Sequence, residues 1–177
     1  MHPQKRIMFL INLVGGAAVI GSYVWGFSAI PDAGTVLWGS VPDNLRRLST
    51  AWMPLAVAGY FLFTYFLLFR LNPDEARIPG RYGFRAFNWI YAAILFPSVL
   101  WMPFSISVVQ GGGAAALWAT RVVLWLVGLA SLDLIGALLT LRPRRPAVPY
   151  WLAVAGSVAF AVQTVVMDAI LWVAYFP

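Results

Sequence analysis

The chain has 177 residues, 62% of them hydrophobic and only 10% charged, whereas a soluble domain carries about a quarter charged residues. Its mean hydropathy of +0.81 leaves little chain for a soluble domain and makes lipid the solvent of the fold. The net charge of +6 comes from 12 Lys and Arg against 6 Asp and Glu, in short clusters beside apolar runs, which is the pattern of topology signals rather than of a nucleic-acid surface. The absence of cysteine excludes disulfides, thiolate metal sites and a cysteine nucleophile. With His2 as the only histidine, haem held by a histidine pair is excluded as well.

A spanning helix needs roughly 20 mostly apolar residues, and five runs qualify. The first, Ile7 to Ile30, follows Lys5 and Arg6 and is long for a signal-peptide core, so it is read as a span. The loop from Pro31 to Thr50 holds Trp38, Pro42 and the Arg46, Arg47 pair, and predicts either a lid or an interfacial helix. The second run is Ala51 to Leu71 and the third Phe84 to Val109, where Pro97 and Pro103 predict a kinked helix. Gly111, Gly112 and Gly113 form a tight turn into the fourth run, Ala114 to Leu141, so the third and fourth helices should be antiparallel neighbours. Arg142-Pro143-Arg144-Arg145-Pro146 stops that helix and reverses the chain into the fifth run, Val148 to Phe176.

Nine of the twelve Lys and Arg lie at the N-terminus, the second loop and the fourth loop: Lys5, Arg6, Arg70, Arg77, Arg81, Arg85, Arg142, Arg144 and Arg145. In the first loop Arg46 and Arg47 are balanced by Asp32 and Asp43. This alternation predicts a cytoplasmic N-terminus, a C-terminus on the opposite side and, as the expected setting, a bacterial inner membrane. The fold class that follows is all-α, a polytopic bundle of five transmembrane helices forming one domain.

Ionisable groups in hydrocarbon cost on the order of 2.5 to 3.5 kcal/mol each and should face the bundle interior. Arg121, Asp133 and Asp168 are such groups. Arg121 lies 24 residues before Arg145 and Asp168 lies 23 after it, so α-helical geometry puts them at one depth and predicts an ion pair. That pair reads either as a clamp between helices or as the lining of a polar cavity. Asp133 is expected to be a buried acid, protonated or hydrogen-bonded to neutral groups, or else a proton or cation site. Polar and small residues also fall on helical stripes. They comprise Asn12, Gly15, Ser22 and Gly26 in the first run, Tyr60 and Thr64 in the second, Asn88, Tyr91, Leu95, Ser98, Met102 and Ser105 in the third, and Tyr150, Ser157, Ala161, Thr164 and Asp168 in the fifth. Small residues such as Gly59 and Gly156 permit close helix approach. Trp25, Trp89, Trp101 and Trp125 either face lipid or wall a pocket for a flat apolar ligand. The motifs of phosphate-cradling loops, zinc proteases and serine hydrolases are missing, which argues against an enzyme.

Asn88 followed by Leu100-Trp101-Met102-Pro103-Phe104 is similar to the asparagine and W-x-P-x-F stretch of the translocator protein family, the tryptophan-rich sensory proteins. Val148-Pro149-Tyr150, Ala51-Trp52 and the layout of five spans with a long first loop also resemble that family. The first loop has Trp38-Gly39-Ser40-Val41-Pro42 in place of the family's W-x-x-P-P, and the family's paired asparagines in the fifth helix are absent. The resemblance implies a bundle that binds porphyrin-like, sterol-like or other flat apolar molecules under the first loop, with Trp38, Trp52, Asn88, Trp101 and Tyr150 as the contacting side chains.

The leading expectation is therefore a membrane protein that binds or senses a flat apolar ligand (porphyrin-, sterol- or quinone-like), as a monomer or homodimer. A second is an accessory subunit of a larger photosynthetic or respiratory membrane complex. A third is a small ion-coupled transporter using Asp133 and the Arg121, Asp168 pair.

Overall fold

The structure is a computed structural model that describes residues 1–80 and 83–176. Arg81, one of the basic residues of the second loop, lies outside the described residues. Among the described residues the protein is all-α, with five helices long and apolar enough to cross a membrane. It is an integral membrane protein. In hydrocarbon the backbone must satisfy its own hydrogen bonds, and uninterrupted helices of this length do so.

The first helix, α1, spans Pro3–Ala29, with Pro3 in the first turn and the His2 imidazole accepting from the Gln4 N–H at 3.2 Å. A single-turn helix, α2, spans Ala33–Val36 in the first loop. The next span, α3, covers Asp43–Tyr65 and closes in a π-helical turn, Phe66–Arg70. It is followed by α4, Arg85–Val109, which runs on through Pro97 and Pro103, and α5, Gly113–Thr140. The last span, α6, begins as an α-helix over Ala147–Ala161, becomes π-helical over Val162–Trp172 and ends with Val173–Tyr175. The helices start ahead of the apolar runs at α1, which begins at Pro3 rather than at Ile7, and most of all at α3, which begins at Asp43 rather than at Ala51; the other bounds agree to within a residue. Hydropathy detects only the part of a helix immersed in lipid. The polar turn Asp43–Thr50 continues the same helix beyond it, with Asp43 favourably placed in the first turn.

The helices form a closed ring in which α1 packs on α4, α4 on α5, α5 on α6 and α6 on α3. The Tyr60 hydroxyl of α3 donates to the Asn12 Oδ1 of α1 at 2.5 Å and completes the ring. The α4–α5 neighbourhood follows from the glycine turn, where Gly111 and Gly113 take φ of 90° and 67°, angles that L side chains rarely adopt. At the α3–α6 crossing the backbones touch, and a Cβ on either Gly59 or Gly156 would collide with the other's peptide group.

The two ends of the ring differ. At the Arg-rich end the second and fourth loops are joined by a two-way backbone bridge, Arg77 N–H to Arg142 O at 2.8 Å and Arg142 N–H to Arg77 O at 2.9 Å. Beneath it Phe63, Phe66, Phe87, Tyr91, Leu134, Leu138 and Tyr150 fill the core, all fully buried. At the other end the first loop folds down as a roof. Ala33 and Leu37 are buried against Met102 and Ile106, the Trp172 indole donates to Leu37 O at 2.9 Å, and the Ser40 N–H donates to Tyr175 O at 3.2 Å.

Candidate functional site

The stripes read from the sequence do face inward. Asn88, Tyr91, Leu95, Met102 and Ser105 of α4 are buried, as are Tyr150, Ser157, Ala161 and Thr164 of α6 and Gly15 and Gly26 of α1. In the Arg-rich half these groups largely satisfy one another. Thr64 and Tyr91 share a hydrogen bond of 2.8 Å, Tyr60 reaches Asn12, and the Tyr150 hydroxyl donates to Leu138 O at 3.0 Å.

The roofed half is built around the π-helical part of α6. There the Gln163 amide nitrogen donates to Asp168 Oδ1 at 2.9 Å and to Ser49 Oγ of α3 at 3.2 Å. In an α-helix residues five apart point about 140° away from each other. The wider i→i+5 turn aligns Gln163 with Asp168 instead. Aromatic groups close the neighbourhood. Trp101 of α4 lies 5.4 Å from the Tyr23 ring and 5.6 Å from the Trp172 ring, centroid to centroid. Four buried polar atoms in this half have no hydrogen-bond partner: Gln163 Oε1, Trp101 Nε1, Ser105 Oγ and Arg121 Nε. Native interiors leave few such groups unsatisfied, because each costs on the order of 1 to 3 kcal/mol. Between α3, α6 and the roof runs a crevice lined by Trp38, Val41, Ser49, Met167, Leu171 and Trp172, with a volume of about 10 Å³. That is room for at most one water molecule.

The structure corrects the expected site in several places. Arg121 and Asp168 do not form an ion pair. Asp168 bonds to Gln163, while the Arg121 guanidinium carbon sits 5.3 Å from the Trp118 ring centroid and Arg121 Nε has no hydrogen-bond partner. Pairing at equal depth requires α-helical rise and rotation throughout, and the eleven π-helical residues of α6 alter both. Asp133 is half-buried rather than buried. The five side chains assigned to one ligand site are split. Trp38 and Trp101 stand at the roofed end, and Trp52 is committed to the α3–α6 seam through its bond to Ala159 O at 2.9 Å. Asn88 and Tyr150 lie near the Arg-rich ends of α4 and α6, where the Asn88 amide donates to Gln4 Oε1 at 2.7 Å. Trp25, Trp89 and Trp125 are exposed on the bundle surface, Trp89 at 63%, and do not wall an interior pocket. Gln163 escapes a sequence reading because it lies off the stripe from Tyr150 to Asp168, and Ser49 because it precedes the apolar run at Ala51, although it shares the buried face of Ala56, Gly59 and Phe63. The available signal is the i, i+5 spacing of Gln163 and Asp168, which has meaning only once the π-helix is known.

Compared with known protein families, curated protein sequences and solved structures, the chain matches none of them.

Proposed function

We propose that this integral membrane protein binds or senses a small, mainly apolar molecule at its roofed end, with the Arg-rich end in the cytoplasm. The Asp168, Gln163 and Ser49 cluster anchors the one polar group of the ligand, and Trp38, Trp101 and Trp172 contact its apolar body. The observation that carries this reading is the set of unpartnered polar atoms. Gln163 Oε1 offers an acceptor and Trp101 Nε1 a donor, both close to aromatic walls, and the Asp168 carboxylate, which already accepts from Gln163, stands beside them. A hydroxyl serves both roles, so a sterol- or quinol-like molecule suits the cluster best. The likeness of Trp101-Met102-Pro103-Phe104 to the translocator protein family favours the same ligand class, through Trp38 and Trp101 but not through Asn88 or Tyr150.

The closed crevice of about 10 Å³ is far below the roughly 300 to 1,000 Å³ of a drug-sized site, so binding requires the roof to lift. Its ties are the Trp172 to Leu37 and Ser40 to Tyr175 hydrogen bonds. Because the chain has no cysteine, the double substitution Ser40→Cys and Tyr175→Cys introduces a single oxidisable pair. Titration of nanodisc-embedded protein with sterol, quinol and porphyrin should quench tryptophan fluorescence. Quenching should disappear in Asp168→Asn and in the oxidised double-cysteine protein, and return on reduction. Fluorescence indifferent to all three ligands would sink the proposal.

A further inference from the structure

At the Arg-rich end a groove opens between the end of α3 and the start of α6. It is lined by Arg70, Asn72, Glu75, Pro143, Arg145 and Ala147 and encloses about 750 Å³. The bridge between Arg77 and Arg142 holds the two loops together. It therefore gathers Arg70, Arg77, Arg142, Arg144 and Arg145 at one place, against Asp74 and Glu75. Topology signals need only lie on the correct side of the bilayer. Like charges pinned together by backbone hydrogen bonds repel one another and gain from a counter-anion.

The acids supply only part of it, since Glu75 lines the groove with one negative charge while Asp74 is drawn to His2. Asp74 Oδ1 lies 3.2 Å from His2 Nε2, and Glu75 Oε1 accepts from the Asn72 amide at 2.7 Å. Arg144 is turned inward, with one terminal nitrogen donating to Leu139 O and its guanidinium carbon 5.8 Å from the Tyr150 ring centroid. Arg70 and Arg145 are both exposed and line the groove, the Arg70 guanidinium carbon lying 5.5 Å from the Tyr65 ring centroid. The first turn of α6 begins there with no side-chain cap on its N–H groups, which favours negative charge at the same point. Immediately along the chain from Arg70 and Ala147, Phe69 and Val148 are 69% and 70% exposed, so an apolar surface starts where the basic groove ends.

We infer that this groove binds the headgroup of an anionic phospholipid. Arg70 and Arg145 hold the phosphate, and the acyl chains run down the lipid-facing surface past Phe69 and Val148. Arginine pairs suit phosphate because each guanidinium presents a planar fork of donors. A zwitterionic headgroup brings an ammonium that the arginines repel, and a soluble phosphate would leave the adjoining apolar surface unused.

Native mass spectrometry of delipidated full-length protein, titrated with phosphatidylglycerol or phosphatidylcholine, tests the assignment. The wild-type protein should retain phosphatidylglycerol at least about tenfold more tightly. Arg70→Gln with Arg145→Gln should weaken that binding about twenty-fivefold, at about fivefold per guanidinium, and leave phosphatidylcholine unchanged. Glu75→Gln, which removes an exposed negative charge from the groove, should tighten phosphatidylglycerol binding about fivefold, and it decides the question if the double variant fails to fold. Equal retention of the two lipids by the wild-type protein would overturn the inference. So would an anionic preference that survives the double substitution, or one that Glu75→Gln leaves unchanged.

Discussion

The two halves of α6 place the same kinds of residue under different backbone geometry. From Ala147 to Ala161 the helix is α, and its inward groups are satisfied: Tyr150 bonds to Leu138 O, Ser157 to Val154 O at 2.8 Å, and Gly156 meets Gly59 backbone to backbone. From Val162 to Trp172 it is π-helical and carries Gln163 and Asp168 into the interior, beside polar atoms that no protein group satisfies. Asn88 Oδ1 and Arg144 Nε are exceptions to this division, being unpartnered in the otherwise satisfied Arg-rich half. The contrast separates a half built for packing from a half with free hydrogen-bonding capacity. π-Helical turns recur at functional sites for this reason, since they redirect side chains at the expense of regular packing.

The largest effect that would test this division is at the glycine crossing. Gly156→Ala drives a methyl group into the Gly59 peptide and should lower stability by about 1 to 3 kcal/mol. Gly136→Ala meets open space and should leave it unchanged or slightly raised. Unfolding in SDS followed by far-UV circular dichroism reads both, and equal effects would mean that the crossing is not closely packed. Next in size is a pair of tryptophans at the roof. Trp172→Phe forfeits the bond to Leu37 O and should cost about 1 kcal/mol, whereas Trp101→Phe removes an indole N–H that has no partner and should be neutral or stabilising. A destabilisation by Trp101→Phe as large as that by Trp172→Phe would show that the roofed half is packed like the other. The smallest effect is Tyr91→Phe, which removes the bond to Thr64 and should cost about 0.6 kcal/mol, the average for hydrogen bonds between membrane helices, with no influence on ligand quenching at the far end.

Much of the architecture is legible in the residues. The five apolar lengths, the glycine turn at Gly111 to Gly113 and the inward stripe from Asn88 to Ser105 can be read directly, because each depends on local chain properties. Asp168 is recognisable as an interior group, but its partner is Gln163 and not the Arg121 that α-helical spacing predicts. That difference and the omission of Gln163 share one cause: the hydrogen-bond period of α6 changes partway along, and apolar side chains on either side of the change carry no mark of it. The start of α3 lies ahead of its apolar run because Asp43–Thr50 is helical without being hydrophobic.

The sequence by itself determined how many times the chain crosses lipid, where it turns, and that its basic loops gather at one end. Those properties express each residue's affinity for water, hydrocarbon or a left-handed turn. Only the tertiary structure decided that Gly59 meets Gly156, that Asp168 bonds to Gln163 rather than to Arg121, and that Arg70 and Arg145 face one groove. Such pairings depend on the rotation of one helix about its axis relative to another. A single π-helical segment changes that rotation without changing the hydropathy of any residue.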